Sequence, residues 1–269
     1  MDATSQELGL IFGLIREKTG IQMNESKKAL LINRLSRRLA ALKLDSYEEY
    51  YRYLKKGDEA EMSRFIDAVT TNETFFFRAP KMWDFFSSKF IPEYFRESQG
   101  KPLKIWSAAA SSGEEPYTIA ILCEEFAKTH SKFQWSLQSS DISEEMLRKC
   151  REGEYDSRSV EIVPKPLLKS WFDAPEPGRY LVKEDLKKKV KFFRHKLQDP
   201  VPGKEFDVIF VRNVLIYFDI PTKEAIVRSF HAALKSGGLI IVGESESLVN
   251  IKTDFKYVAP SIYQKERDV

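Results

Sequence analysis

Over residues 1–70 the apolar positions recur at helical spacing, with no convincing strand among them. Leu10, Ile11, Leu14 and Ile15 predict a first helix that Thr19-Gly20 ends. Leu30, Leu31, Leu35, Leu39 and Leu42 predict a second, begun near Glu25-Ser26. Asp45-Ser46 offers an N-cap for a third, which carries Tyr47, Tyr50, Tyr51 and Leu54 and stops at Lys56-Gly57-Asp58. Met62, Phe65, Ile66 and Val69 mark a fourth. Four short helices with brief connections predict a small all-α domain over residues 1–71.

Beyond about residue 100 the period changes. Buried-strand patterns at 103–109, 133–141 and 206–213 alternate with helical stretches at 114–128, 143–151 and 223–234. Gly237-Gly238 predicts a turn into a strand at 239–245, and 256–266 a final strand. Alternating β and α predicts an α/β fold with a largely parallel sheet covered on both faces. Between 155 and 195 the pattern loosens around Pro164, Pro166, Pro175, Pro177 and Gly178. RYLVKEDL and KKVKFFR read there as short antiparallel strands, so this stretch is expected to form a small inserted β-subdomain. The resulting division is a helical domain (1–71), a linker (72–92) and an α/β domain (93–269) that carries the insertion.

Composition narrows the class. With 269 residues and 42% hydrophobic positions the chain can bury a sizeable core. Two cysteines build neither a disulfide framework nor a Cys-rich zinc site. No apolar run reaches the roughly 18 residues of a membrane span, and no basic segment precedes the first apolar stretch. A cytoplasmic location is expected. The 43 Lys and Arg nearly balance 40 Asp and Glu, which argues against a bulk nucleic-acid binder. The balance is local, however: 26–43 holds Lys27, Lys28, Arg34, Arg37, Arg38 and Lys43 and no acid.

The first strand runs into Ala108-Ala109-Ala110-Ser111-Ser112-Gly113 and then into Glu114-Glu115, where a helix opens. Small residues beyond a strand's carboxyl end let backbone approach a ligand closely. The next strand ends at Asp141, placed to accept hydrogen bonds from a ribose diol. No G-x-G-x-x-G is present, and two carboxylates at the helix start would repel a pyrophosphate. S-adenosylmethionine, a nucleoside with a sulfonium and no phosphate, suits this inventory better than NAD or a triphosphate. The alternative is that Glu114 and Glu115 only complement the helix dipole. Asn72, Thr74 and Arg78, beside the aromatic run Phe75-Phe76-Phe77, stand equally between ligand binding and helix capping. Arg212, Asn213 and Tyr217 put further polar groups at the sheet's carboxyl edge, with core packing the other reading for Tyr217.

NETFFFR (72–78), IWSAAASSGEEPY (105–117), SSDIS (139–143), FDVIFVRNVLIYF (206–218) and GGLIIVGESES (237–247), taken in order, resemble the chemotaxis receptor methyltransferases, the CheR family. The resemblance implies a Rossmann-like methyltransferase domain with a small inserted antiparallel β-subdomain, preceded by the all-α domain. It implies methyl transfer from S-adenosylmethionine to glutamates of chemoreceptor cytoplasmic helices, giving methyl esters and S-adenosylhomocysteine. Carried over by position, cofactor contacts fall on Asn72, Thr74, Arg78, Glu115, Asp141, Arg212 and Asn213. Lys196-Leu197 stands where the family commonly has Asn-Leu, so both are carried over as cofactor-binding candidates, with a departure at position 196. Arg78 and Tyr217 are the candidate catalytic groups, orienting the reactants.

A glutamate carboxylate is already ionised at neutral pH, its reference pKa being about 4.3, so no general base is required. His130, His195 and His231 read as structural or exposed, and no metal is expected. Lys27, Arg34, Arg37 and Arg38 are expected to project away from the leucine stripe and to steer an acidic receptor helix. The short, proline-rich stretch 173–179 predicts no dependence on a tethering receptor pentapeptide, since prolines remove the N–H groups that β-augmentation needs. A monomer is expected. Other readings are a methyltransferase for another acidic protein or small carboxylate, and a cofactor-binding regulator that transfers nothing. Nucleic-acid binding through 26–43 is a third, disfavoured by the charge balance and the lack of a stacking platform.

Overall fold

The structure is a computed structural model, and it describes residues 3–23 and 28–267. Helix α1 (Ser5–Thr19) opens with a capping box in which Thr4 and Glu7 exchange hydrogen bonds, and it closes on Gly20 at φ 74°. Helices α2 (Lys28–Leu42), α3 (Tyr47–Lys55, capped by Ser46) and α4 (Glu59–Val69, capped by Asp58) follow the predicted periodicity. The expected start of α2 at Glu25-Ser26, and Lys27 with it, lie outside the described residues. Leu31, Leu35, Leu39, Tyr50 and Phe65 are buried together with α1's Ile11, Leu14 and Ile15.

Residues 80–97, which include the second half of the linker, are helical. Helix α5 (Pro80–Phe85), a π-helical turn (Phe86–Phe90) and helix α6 (Ile91–Glu97) run on end to end. Next come β1 (Leu103–Ser107), α7 (Glu114–Thr129), β2 (Trp135–Asp141) and α8 (Glu144–Glu152, capped by Ser143). β3 (Glu154–Asp156), α9 (Ser157–Val160), α10 (Lys165–Trp171), β4 (Phe172–Glu176), β5 (Arg179–Val182) and α11 (Glu184–Lys187) fill the loosened stretch. β6 (Val190–Arg194), β7 (Phe206–Val211), α12 (Ile220–Ala233), β8 (Leu234–Val242), β9 (Phe255–Ala259) and β10 (Ile262–Lys265) complete the chain.

Seven strands form one sheet in the order β6-β2-β1-β7-β8-β10-β9, and β3-β5-β4 form a small second sheet. The four pairings from β6 to β8 are parallel; those of β10 are antiparallel. This is the Rossmann-like architecture with an inserted antiparallel sheet. Successive strand residues face opposite sides. Trp106, Ile209, Val211 and Ile240 join α12 and the helical region in one core. Ile105, Val208, Phe210 and Ile241 join α5, α7 and the small sheet in the other.

Three details correct the sequence reading. KKVKFFR supplies β6, which pairs parallel with β2 (Asp141 opposite Arg194) rather than antiparallel within the insertion. Alternation shows that a strand is half buried; it does not show which sheet the strand joins. Gly237-Gly238 lies inside β8 at a register shift, not in a turn before it. A Cβ on Gly238 would sit 2.9 Å from the Lys235 carbonyl oxygen, so the strand kinks where only glycine fits. The expected single strand 256–266 is the hairpin β9–β10, turned at Ser261 with φ 66°.

Among the described residues no helix is long and apolar enough to cross a membrane.

Candidate active site

The carboxyl ends of β6, β2, β1 and β7 open into one cleft, roofed by residues 69–78 and by the end of α1. The cleft brings together Asn72, Thr74, Arg78, Glu115, Asp141, Leu197, Arg212, Asn213 and Tyr217. Arg34 also reaches it.

The loop after β1 turns tightly. Ser111 has φ 48° and Gly113 φ 103°. A Cβ on Gly113 would lie 2.7 Å from the Tyr155 hydroxyl and 3.2 Å from Cys150 Sγ, so glycine is required. This turn delivers the Ser111 N–H to Asp141 Oδ2 at 2.8 Å, and the Ser111 hydroxyl to the Asn72 carbonyl at 2.8 Å. The Ser143 N–H donates to Asp141 Oδ1 at 2.9 Å. The Ile142 N–H also bears on this carboxylate, and the acceptor capacity that is left suits a diol. Burial pushes the Asp141 carboxyl up to about 6, against the backbone donors that pull it down.

Glu115 turns back under the sheet edge. Its Oε1 accepts from the Ser107 hydroxyl at 2.9 Å and its Oε2 from Arg212 Nη1 at 3.0 Å. Desolvation raises the Glu115 carboxyl, and Arg212 and Ser107 oppose that rise. Arg212 also donates from Nη2 to the Arg78 carbonyl at 2.9 Å and lies 5.4 Å from the Trp83 ring centre. Arg78 sits between two left-handed residues, Phe77 (φ 53°) and Ala79 (φ 67°). Backbone strain of this kind collects at functional sites. Its guanidinium donates to the Glu73 carbonyl at 3.1 Å and lies 5.7 Å from the Phe75 ring centre.

Asn213 is left-handed as well, φ 58°, and its N–H donates to Glu246 Oε2 at 2.7 Å. The same carboxylate accepts from Gly243 and Ile216 N–H groups. Glu246 thus shapes the turn carrying Arg212, Asn213 and Tyr217. Sequence reasoning missed this role; the one available signal was an acid just past the end of β8.

Lys196 does not line the cleft. Its ammonium donates to the Glu17 carbonyl at the end of α1, 3.0 Å away. Arg34 donates to the Thr70 carbonyl at 2.7 Å and so holds the start of the roof. Arg38 is not free to steer a substrate: it forks onto Glu61 at 2.9 and 2.5 Å, and the Tyr50 hydroxyl donates to the same carboxylate. Glu61 is fully buried, so this cluster is structural. Arg37 remains exposed.

Among the described residues, five buried side-chain polar atoms have no hydrogen-bond partner: Trp83 Nε1, Gln138 Nε2, His195 Nε2, Gln198 Oε1 and Arg212 Nε. All but Gln138 belong to residues lining the cleft. An unpaired buried polar group costs about 1–3 kcal/mol, so such a concentration marks a site completed by a ligand. His195, expected to be merely structural or exposed, is part of this wall. Glu115 at the start of α7 presents a carboxylate where a pyrophosphate would sit, which disfavours one, while Asp141 suits a ribose. The residues fit S-adenosylmethionine. No group of three or more His, Cys, Asp or Glu among the described residues could hold a metal.

A mostly parallel sheet whose second strand ends on an acid, with no Gly-rich phosphate-binding turn after the first, is the architecture of the Rossmann-like methyltransferases. Residues 72–263 match the family model described as CheR methyltransferase, SAM binding domain, and residues 6–70 match the CheR methyltransferase all-alpha domain. The chain therefore belongs to the CheR methyltransferase family. It is 35% identical to the chemotaxis protein methyltransferase of Borreliella burgdorferi, over 98% of this chain and 96% of that one. It is 37% identical to that of Salmonella typhimurium, over 95% of this chain and 88% of the other. For that of Escherichia coli the identity is 34%, over 95% and 89%.

Proposed function

We propose that this chain transfers the methyl group of S-adenosylmethionine to glutamate side chains on the cytoplasmic helices of chemoreceptors. The products are glutamate methyl esters and S-adenosylhomocysteine. The observation that carries this is the cleft itself, in which Asp141, the Glu115–Arg212 pair, Arg78 and Tyr217 converge in a chain of the CheR family.

Asp141 would hold the cofactor's ribose through its remaining acceptor capacity. Glu115 would meet the positively charged amino-acid end, and Arg78 its carboxylate. Bound there, the cofactor supplies an electrophilic methyl group on a sulfonium. An incoming glutamate is ionised at neutral pH, so no residue has to remove a proton. The protein's work is orientation by Arg78 and Tyr217, and exclusion of water by Leu30, Phe75 and Phe218 on the cleft wall.

Residues 1–71 are assigned to receptor recognition, with the exposed Arg37 as the steering charge, and the chain is read as acting as a monomer. Independence from a receptor pentapeptide is supported by the small sheet: its outer strand β4 contains Pro175, which has no N–H for an added strand. Incubation with radiolabelled S-adenosylmethionine and receptor fragments tests the whole reading. Alkali-labile label on receptor glutamates is expected; label elsewhere, or none, refutes it. Tight binding of a free NWETF-type peptide in a fluorescence titration refutes the pentapeptide part alone.

A further inference from the structure

We infer that Ile216, Ile220 and Val249 form an apolar rim at the cleft mouth that docks the amphipathic helix carrying the methyl-accepting glutamate. The inference rests on the receptor-glutamate reading above and adds the surface that holds the substrate beside the site.

Single exposed aliphatic side chains are ordinary on a protein surface, and only their position informs. Among the described residues eight large apolar side chains are exposed, and five of them stand in or beside one opening. Leu30 and Phe75 line the cleft itself. Ile216, Ile220 and Val249, at 45%, 57% and 73% exposure, stand on segments tied together at its edge. Ile216 lies in the turn whose Asn213, Val214, Tyr217 and Phe218 line the cleft. Its N–H donates to Glu246 Oε1 at 3.2 Å, and Val249 follows three positions after that glutamate. The Lys252 N–H donates to Glu224 Oε1 at 2.9 Å, so the segment 246–252 runs along the start of α12, whose first residue is Ile220. The fold does not need aliphatic groups at these three positions. Leu215 and Leu248 are the buried neighbours that anchor the two segments, and Asp219 as N-cap starts α12.

What must reach this opening is a glutamate side chain on a helix. Residues three and four positions from that glutamate share its face, so they meet the edge of the cleft when the carboxylate enters. Apolar residues there remove their own surface and that of the rim from water together. Charge fits the same partner. Leu30, Arg34 and Arg37 follow one another at i, i+4 and i+7 on α2, so the helix face that begins at the cleft with Leu30 and Arg34 leads to the exposed Arg37. An acidic, amphipathic helix crossing the mouth meets apolar side chains beside the cleft and a cation beyond it. The two contacts do different work: the charge raises the rate of encounter, and the rim slows dissociation.

The test is steady-state methylation of receptor fragments with labelled S-adenosylmethionine, joined to calorimetry of S-adenosylhomocysteine on the same full-length proteins. The double variant Ile216→Ser, Val249→Ser is expected to raise KM for the receptor about tenfold with kcat within about twofold, because only ground-state binding is lost. Its S-adenosylhomocysteine affinity and melting are expected to match the wild type. Val258→Ser removes an exposed aliphatic group on β9, outside the cleft, and is expected to change nothing. The rise in KM is expected to persist at high salt, where the effect of Arg37→Ala fades. Ile220→Ser, outside the turn, is expected to raise KM about threefold and keeps the test decisive if the double variant misfolds. Unchanged KM in these variants beside an active wild type overturns the inference and leaves the proposed reaction standing. Absence of receptor methylation by the wild type overturns both. A fall in S-adenosylhomocysteine affinity that matches the rise in KM overturns the inference too, since the residues then act through the cofactor site. Sedimentation of the wild type as a dimer that the double variant converts to a monomer assigns the rim to a second copy of this chain and overturns it as well.

Discussion

Glu115 Oε2 lies 3.0 Å from Arg212 Nη1, so a buried ion pair ties the first turn of α7 to the end of β7 across 97 positions of sequence. Both side chains are nearly inaccessible, at 10% and 4% exposure. Neither partner can be removed cheaply, because each would leave a charge without water or counter-ion. Arg212→Met is expected to lower stability by about 3 kcal/mol in urea denaturation. It is also expected to weaken S-adenosylhomocysteine binding by calorimetry, since the freed Arg78 carbonyl no longer fixes the roof of the cleft. Unchanged stability would show that the pair is not formed.

Asp141 imposes two pH dependences of opposite sense. Its folded-state pKa of about 6 exceeds the ordinary 3.8, so between these values the folded protein holds more protons than the unfolded chain. Its contribution to stability therefore falls as pH rises from about 4 to about 6 and is constant above. Cofactor affinity moves the other way. Protonation removes acceptor capacity, so affinity is expected to fall below pH 6, toward about tenfold per unit. Asp141→Asn is expected to flatten both profiles, to raise the melting temperature at pH 7 and to weaken binding. Calorimetry and thermal melts from pH 5 to pH 8 check this.

Arg37 and Arg38 are neighbours with different tasks. Arg38→Ala strands the buried Glu61 carboxylate with Tyr50 and the more exposed Arg64, and is expected to cost about 3 kcal/mol. Arg37→Ala is expected to leave melting and cofactor binding unchanged. It is also expected to slow methylation of receptor fragments, most visibly at low salt. A salt-independent effect would argue against steering.

Ser143 caps α8 by accepting the Met146 N–H at 3.1 Å, and its hydroxyl donates to Asp67 of α4 at 2.7 Å. Its own N–H serves Asp141. Ser143→Ala is expected to cost about 1 kcal/mol through the lost cap. Cofactor affinity should change little, because the N–H to Asp141 remains. A large affinity loss would show that the Asp67 contact positions Asp141.

Much of this protein is legible in residue order. Helical spacing in 1–70, caps at Ser46 and Ser143, and the strands leading to Ser107, Asp141 and Val211 need only local rules, because capping and amphipathic burial act within a few residues. Asp141, Glu115, Arg212 and Asn213 were visible because strand ends in a parallel sheet share one edge. Pairing over long separations was not visible. Nothing local distinguishes Arg37 from Arg38, yet one is exposed and the other is bound to a glutamate on the next but one helix. The alternation of KKVKFFR does not say that its partner is β2, and residue type does not say that Lys196 turns away while His195 and Gln198 line the cleft. Sequence by itself determined the class, the order of elements and the positions that meet at the sheet edge, since these follow from periodicity and chain polarity. Which polar groups neutralise one another and which stay unpaired toward the cleft was decided only when distant segments were packed together, because hydrogen bonds and ion pairs form in space, not along the chain.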